Sequence, residues 1–246
     1  MFLLTLIAFL ICFSAPTTGS QPAQPAKDIP EPPVVTPAPA QVQPTPPPSD
    51  AVVLFDGTSM DAWQHADGKP AQWTPDGKKD GAMTCKPGSG SILSKQKFGD
   101  IQLHVEFATP AKVEGEGQGR GNSGVYIQNR YEVQVLDSYQ NKTYPNGQCG
   151  AVYLQHVPLA NACRKPGEWQ TYDIVFRAPR FKADGSLEKP GSLTVLHNGV
   201  LIQDHVEIKE PTGGGDKGTG DGPIHLQDHG NTVKYRNIWV RPLGSK

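Results

Sequence analysis

Ile101-Gln102-Leu103-His104-Val105-Glu106-Phe107-Ala108 alternates apolar and polar residues at nearly every step. A strand turns successive side chains to opposite faces, so Ile101, Leu103, Val105 and Phe107 face a core while Gln102, His104 and Glu106 face away. The same period recurs further along, where Ile174 and Phe176 alternate with Asp173, Val175 and Arg177. Asn198-Gly199 between two β-rich runs is the strongest short hairpin signal. Strands are expected at 52–55, 82–85, 101–108, 123–128, 131–137, 151–154, 171–177, 192–197, 200–204, 224–227 and 235–241. No segment sustains a 3.6-residue period, so helix content should be low. Many short antiparallel strands over 51–246 imply a two-sheet sandwich or a barrel. A sandwich with a concave face is favoured, because curved sheets of this size suit an extended ligand. The glycine-rich 213–222 reads as a flexible loop before the last strands.

The chain has 246 residues and a formal net charge of -1, which argues against a nucleic-acid binder needing a basic face. Twelve of its 24 prolines precede residue 51, and from Ser14 to Asp50 there is no aromatic residue. Such a stretch buries too little apolar surface to offset its ordering entropy, so 21–50 is expected to be a disordered, extended linker. Residues 1–20 begin with MFLLTLIAFLICFSA, an apolar run followed by small residues, and read as an export signal cleaved after Ala15, Gly19 or Ser20. No second apolar run of spanning length follows, so the mature chain is not expected in a membrane. Export would put Cys85, Cys149 and Cys163 in an oxidising compartment. Cys149 and Cys163 flank a segment that could close a loop and are the expected disulfide; Cys85 is then the odd thiol. The sequence does not give the oligomeric state.

Three segments carry candidate chemistry. In GQGRGNSGVYIQ (117–128) the glycines form no phosphate-binding loop; they let a turn deliver Arg120 and Asn122 to the start of a strand. In YEVQVLD (131–137), Glu132 and Gln134 share a face, Val133 and Val135 face the core, and Asp137 joins the first pair only if a bulge intervenes. Acid, amide and acid on one face is a row that sugar chemistry uses, since carboxylates with separated pKa values can take or give a proton. In IHLQDHG (224–230), His225, Gln227 and His229 alternate and so share a face. Their spacing lacks supporting carboxylates or thiolates, so no metal is assigned and a divalent ion stays open.

These residues carry a resemblance. LFDGTSMDAW (54–63), FGDIQLHVEF (98–107), GNSGVYI (121–127), YEVQVLD, GEWQTYDIVF (167–176), the NGVLI hairpin, GPIHLQDHG and VKYRNIWVRPL (233–243) resemble the 3-keto-disaccharide hydrolase domain, in family order. The proline-rich leader and NACRKPGEWQ resemble versions found in planctomycetes. The resemblance implies a concanavalin-A-like two-sheet jelly-roll sandwich, an exported bacterial protein, and cleavage of glycosides already oxidised at C3. By motif position Glu132 and Asp137 resemble the family's carboxylates and Gln134 its amide. Asn122, Gln227, His229 and Arg236 fall in matching segments. The family often has arginine where this chain has Gln128. Glu132 is the expected base for the C2 proton, with Asp137 as acid or orienting partner. The alternative is a noncatalytic carbohydrate-binding module presenting Trp63, Trp73, Tyr126, Tyr139 or Tyr153 as stacking platforms. Either way the partner is a carbohydrate.

Overall fold

The computed structural model describes residues 28–41, 43–77, 80–215 and 217–244. The expected signal, 1–20, lies outside them. The first strands in chain order are β1 (Val52–Phe55), β2 (Trp63–Gln64), β3 (Thr74–Pro75), β4 (Ala82–Thr84), β5 (Ile92–Phe98), β6 (Ile101–Ala108), β7 (Ser123–Ile127) and β8 (Tyr131–Val135). Then come β9 (Gln170–Arg177), β10 (Arg180–Phe181), β11 (Leu187–Lys189), β12 (Gly191–His197), β13 (Val200–Ile208), β14 (Gly222–Leu226) and β15 (Lys234–Pro242). Among the described residues helix is confined to single 3-10 turns at Gly117–Gly119, Pro145–Gly147 and Thr212–Gly214. Expected strand 151–154 is absent as a strand; only Val152 pairs there, with Val133 and His156. Strand β5 escaped the pattern because Lys95, Gln96 and Lys97 in its middle are all exposed.

The large sheet runs β13-β12-β9-β6-β15-β4-β3, with β1 also on β15, and the smaller runs β2-β5-β14-β7-β8. All pairings of these sheets are antiparallel, and the architecture is the concanavalin-A-like jelly-roll sandwich. One apolar cluster joins the facing sides: Leu103, Val105, Phe107, Tyr172, Ile174 and Phe176 from the large sheet meet Val125, Ile127, Val133, Ile224 and Leu226. Polar ties cross it too. The Ser123 and Tyr235 hydroxyls are 2.7 Å apart, and Tyr172 Oη donates to the Gln134 carbonyl at 2.6 Å. Each satisfies a polar atom that would otherwise be costly in a dry core.

The described part of the proline-rich segment is laid on this domain, which corrects the expectation of a free linker. Val35 N donates to Asn161 O at 3.0 Å, and Asn161 N donates to Pro33 O at 2.9 Å. Arg164 donates to Ala38 O through Nε and Nη2 at 3.1 and 2.9 Å, and Asn237 Nδ2 to Thr45 O at 2.8 Å. Asp50 receives Arg241 Nε at 2.7 and 2.9 Å. The reason is that proline removes donors but leaves carbonyl acceptors exposed along an extended chain. Arg164 and Asn237, more than a hundred residues away, supply side-chain donors, and Asn161 supplies a backbone one.

Under this segment the outer face of the large sheet holds a buried polar network. His104 Nδ1 lies 2.7 Å from Asp173 Oδ1, and Arg236 Nε donates to Glu106 Oε2 at 2.7 Å. Burial alone would push His104 down, but its hydrogen bond to Asp173 and the Glu106 carboxylate 3.6 Å from Nε2 outweigh that and hold it up at about 9. Burial would raise Glu106, but His104, Asn237 and Arg236 hold it down to about 2. A histidine raised in the folded state stabilises fully below its unfolded value of 6.5, and that contribution is lost as pH rises through about 9. Unfolding free energy from denaturant titrations is therefore expected to fall between these pH values, and His104→Gln should flatten the decline.

Candidate functional site

The β7–β8 hairpin forms one edge of the smaller sheet. Its turn puts Gln128 and Asn129 at φ 57°, a region uncommon for residues other than glycine. The turn is held by Arg130 N donating to Ile127 O at 3.1 Å and by Gln128 Nε2 donating to Phe98 O at 3.0 Å. Gln128 is thus a buried clasp. The hairpin pairs Tyr126 with Glu132 and Gly124 with Gln134. Strand β14 adds His225 opposite Tyr126, β5 adds Leu93 opposite His225, and β2 adds Gln64. Glu132, Tyr126, His225, Leu93 and Gln64 therefore make one cross-strand row on the face turned away from the core.

Glu132 is 3% exposed. Burial pushes its carboxyl up to about 8, against the pull of a hydrogen bond from Tyr126. Burial, followed by the Glu132 charge, likewise raises the Tyr126 hydroxyl, which keeps its proton across ordinary pH. Tyr126 stacks on His225 with ring centroids 4.5 Å apart, and Gln227 Nε2 donates to its hydroxyl at 3.2 Å. Tyr153 N donates to Glu132 O at 3.1 Å, and the Tyr153 and Tyr144 hydroxyls meet at 2.5 Å. Gly124 makes the room: a Cβ there would strike Glu132 Oε1 and lie 2.9 Å from Tyr126 Cε2.

Three buried acceptors without partners flank this carboxyl. Gly147 O accepts from Gln118 Nε2 at 2.8 Å, so Gln118 Oε1 faces Gln134 Nε2 at 2.9 Å and Gln134 Oε1 is left unpaired. Gln227 Oε1 is the second. The third is His225 Nε2: Nδ1 lies 2.7 Å from Asn129 Oδ1 and carries the proton, while burial lowers the ring to about 4 and keeps it neutral. Unpaired buried acceptors are costly unless a ligand supplies donors. A cavity of about 480 Å³ opens beside His225 and Leu93, bordered by His65, Gln72 and Asn129.

The other expected residues separate. Asp137 does not stand beside Glu132. Val135 and Leu136 both enter the core, which breaks the alternation and turns Asp137 toward Arg120, whose Nε is 2.6 Å from Oδ2. Burial raises Asp137, opposed by Arg120. Arg120 also donates to Tyr139 O at 2.9 Å, and the pair lines a second cavity of about 550 Å³ with Gly230 and Asn231. Asn122 stands between: Nδ2 donates to Gln118 O at 2.7 Å, and its backbone N to Asn231 Oδ1 at 3.0 Å. His229 lies past the end of β14 and is exposed, so only Gln227 of that pair reaches Tyr126.

Two expectations are corrected outright. Arg236 is not at the site: on β15 Tyr235 faces the core, so its neighbour turns to the outer side of the large sheet, against Glu106 and over Trp169 at 4.1 Å. Cys149 and Cys163 are free thiols, each wrapped in the core, with Cys149 Sγ 3.0 Å from Tyr172 Oη. Trp63 and Trp73 are also core residues and offer no stacking platform. Sequence reasoning missed Gln118, Gly124 and Tyr144 as site residues, and it placed His225 on a shared face with Gln227 without giving it a role. Gln118 sits in a 3-10 turn and offers no periodic signal. Among the described residues, the only His/Cys/Asp/Glu group at ligating separation is Cys149, Cys163 and His197, inside the core.

The site is thus an acceptor-lined face of a two-sheet sandwich around Glu132, and similarity to known proteins places the domain among carbohydrate-active ones. Residues 50–241 match the family described as the 3-keto-alpha-glucoside-1,2-lyase-like domain, and the chain belongs to that family. A candidate glycosyl hydrolase from Parabacteroides distasonis ATCC 8503 is 46% identical, with TM-score 0.77 over 89% of this chain and 94% of its own. Two further candidate glycosyl hydrolases from the same organism share the fold. One is 24% identical with TM-score 0.53, covering 78% of this chain and 99% of its own. The other is 18% identical with TM-score 0.54, covering 79% and 94%. No curated protein matches the chain.

Two outcomes follow for the site. Gly124→Ala should displace Glu132 and Tyr126 and disturb the row, seen as altered Tyr126–His225 ring contacts by NMR while the sandwich persists. A raised carboxyl destabilises the fold increasingly as pH climbs from its unfolded value of 4.5 toward about 8. Glu132→Gln lacks that penalty, so it should be more stable than wild type by an amount growing on the order of 1 kcal/mol per pH unit across that window, measured by denaturant unfolding.

Proposed function

We propose that the chain cleaves the glycosidic bond of 3-keto-glycosides by elimination and hydration, with Glu132 as the proton-transfer group. The observation that carries this reading is the pairing of one raised, cation-free carboxyl with three unpaired acceptors on the same sheet face. A sugar supplies several O–H donors at once, and Gln134 Oε1, Gln227 Oε1 and His225 Nε2 can each accept one. In this reading the Pro145–His156 loop that covers Glu132 moves aside to admit the ring to these acceptors.

The C3 ketone acidifies the C2 proton. Glu132 takes that proton, and the electron pair moves through C2–C3 onto the ketone oxygen; the Tyr126 hydroxyl, released from Glu132 once that carboxyl is neutral, donates to the developing charge. The pair then returns, C1=C2 forms, and the C1–O bond breaks. The leaving oxygen takes a proton from the now neutral Glu132. Water adds at C1 while C2 regains a proton, so the net reaction is hydrolysis. A base of pKa about 8 is poorly ionised below neutrality but strong when ionised, which suits a carbon acid. Arg120, oriented by Asp137, places positive charge at the neighbouring cavity and is read as a clamp for the second sugar. Asp137 is thereby the orienting partner. Export on the signal at 1–20 is part of this reading; among the described residues no helix is long and apolar enough to cross a membrane.

The test is turnover of a 3-keto-glucoside. Glu132→Gln should lower kcat by at least about 100-fold, the scale of a lost general base. Wild-type kcat/KM should rise with pH and level off above about 8 as Glu132 ionises. Unchanged turnover in Glu132→Gln with the fold intact overturns the assignment.

A further inference from the structure

Cys149, Cys163 and His197 come from three separate parts of the chain and meet in the core between the sheets. One ligand atom from each lies within 4.8 Å of the other two, and all three residues are buried. Cys149 follows the Pro145–Gly147 turn, Cys163 sits in the loop before β9, and His197 ends β12 with its ring beside Tyr172.

The tautomer of His197 is fixed by its neighbours. Its Nε2 is 3.2 Å from Gln170 Oε1. That oxygen also receives Asn198 Nδ2 at 2.6 Å and Arg164 N at 3.0 Å, while Gln170 Nε2 donates to Arg164 O. Gln170 Oε1 is therefore an acceptor, and Nε2 carries the ring proton. Nδ1 is left with a lone pair, and it is buried without a hydrogen-bond partner on a side chain that is 0% exposed. A second residue that holds one ring nitrogen as donor and leaves the other bare is the usual support of a metal-bound imidazole. The Tyr172 hydroxyl, 3.0 Å from Cys149 Sγ, is the remaining polar atom of the cluster.

We propose that Cys149, Cys163 and His197 Nδ1 form a structural site for a thiophilic divalent d¹⁰ ion, zinc, with the Tyr172 oxygen on the fourth side. Two thiolates and a neutral imidazole suit such an ion in kind. Charge decides between divalent and monovalent ions: zinc with two thiolates is neutral, whereas a monovalent ion leaves net charge in a dry core. The core gives no solvent route, so the ion is captured as the chain folds and two thiol protons are released. Its effect would reach the smaller sheet. Cys149 N donates to Ser138 Oγ at 3.0 Å, Gly150 N to Gln134 O at 2.9 Å, and Tyr172 Oη to the same carbonyl. The ion would clamp the edge of β8 to β9 and β12 of the large sheet. The site is independent of the reaction proposed for Glu132.

The test is metal content and spectroscopy on the full chain, with no activity readout. Denatured, reduced protein is refolded with zinc, with cobalt(II), or with chelator. The zinc-refolded wild type should retain about one zinc per chain after desalting. The cobalt form should show a thiolate-to-cobalt charge-transfer band, and chelator should lower the unfolding midpoint. Cys163→Ser should lose the zinc and the band, while Cys85→Ser, which is not a member of the cluster, should keep both. Should Cys163→Ser fail to fold, the wild-type zinc and cobalt measurements decide alone. A folded, metal-free wild type after zinc refolding overturns the proposal. So does a Cys149–Cys163 disulfide in the purified chain, seen as both thiols blocked to alkylation and a mass loss of two hydrogens.

Discussion

Strand β8 is buried on both faces, and the candidate site depends on that. Tyr131, Val133 and Val135 pack into the sandwich, while Glu132 and Gln134, which point the other way, are buried as well. An antiparallel edge strand commonly leaves one face to water. Here the loop from Pro145 to His156 runs along it, giving Ala151 O to Gln134 N at 3.0 Å and taking Glu132 O for Tyr153 N. A carboxyl enclosed without a cation must either keep its proton or pay several kcal/mol of desolvation. The raised Glu132, the glycine opposite its neighbour and the proton-holding Tyr126 all follow from that enclosure.

The chain's other buried acids show what the alternative looks like. Asp137 has Arg120, and Glu106 has Arg236 together with Asn237. Those carboxylates are compensated where they stand, and each is better suited to fixing a neighbour than to exchanging a proton. Glu132 has only a phenol. Around it the unpaired atoms are acceptors, which selects a ligand rich in hydroxyl donors over an anion. Uncompensated acid and surplus acceptors on one face are the physical basis of the proton transfer proposed for Glu132.

Much of the fold was legible because period two is a strong signal where one face is buried. Strand β6 reads straight from its alternation, and Glu132 and Gln134 share a face for the same reason. Asp137 was the insecure member: its parity put it on the wrong side, and the structure departs from parity at Leu136, yet toward Arg120 and not Glu132. Arg236 was placed by its motif, whereas the same parity rule applied to Tyr235 would have sent it to the far face. The adjacency of Cys149 and Cys163 was foreseen, but their redox state and the arrival of His197 are tertiary facts. The docking of 28–41 and 43–50 was illegible, since composition reports what a segment cannot bury and is silent on distant donors such as Arg164 and Asn237.

The most direct test of proton transfer at C2 is cleavage of a 3-keto-glucoside in D₂O, followed by NMR of the released sugar. The C2 position should carry deuterium from solvent, faster than in substrate without enzyme, and Glu132→Gln should remove the excess. Rapid cleavage that leaves the original hydrogen at C2 would contradict the account.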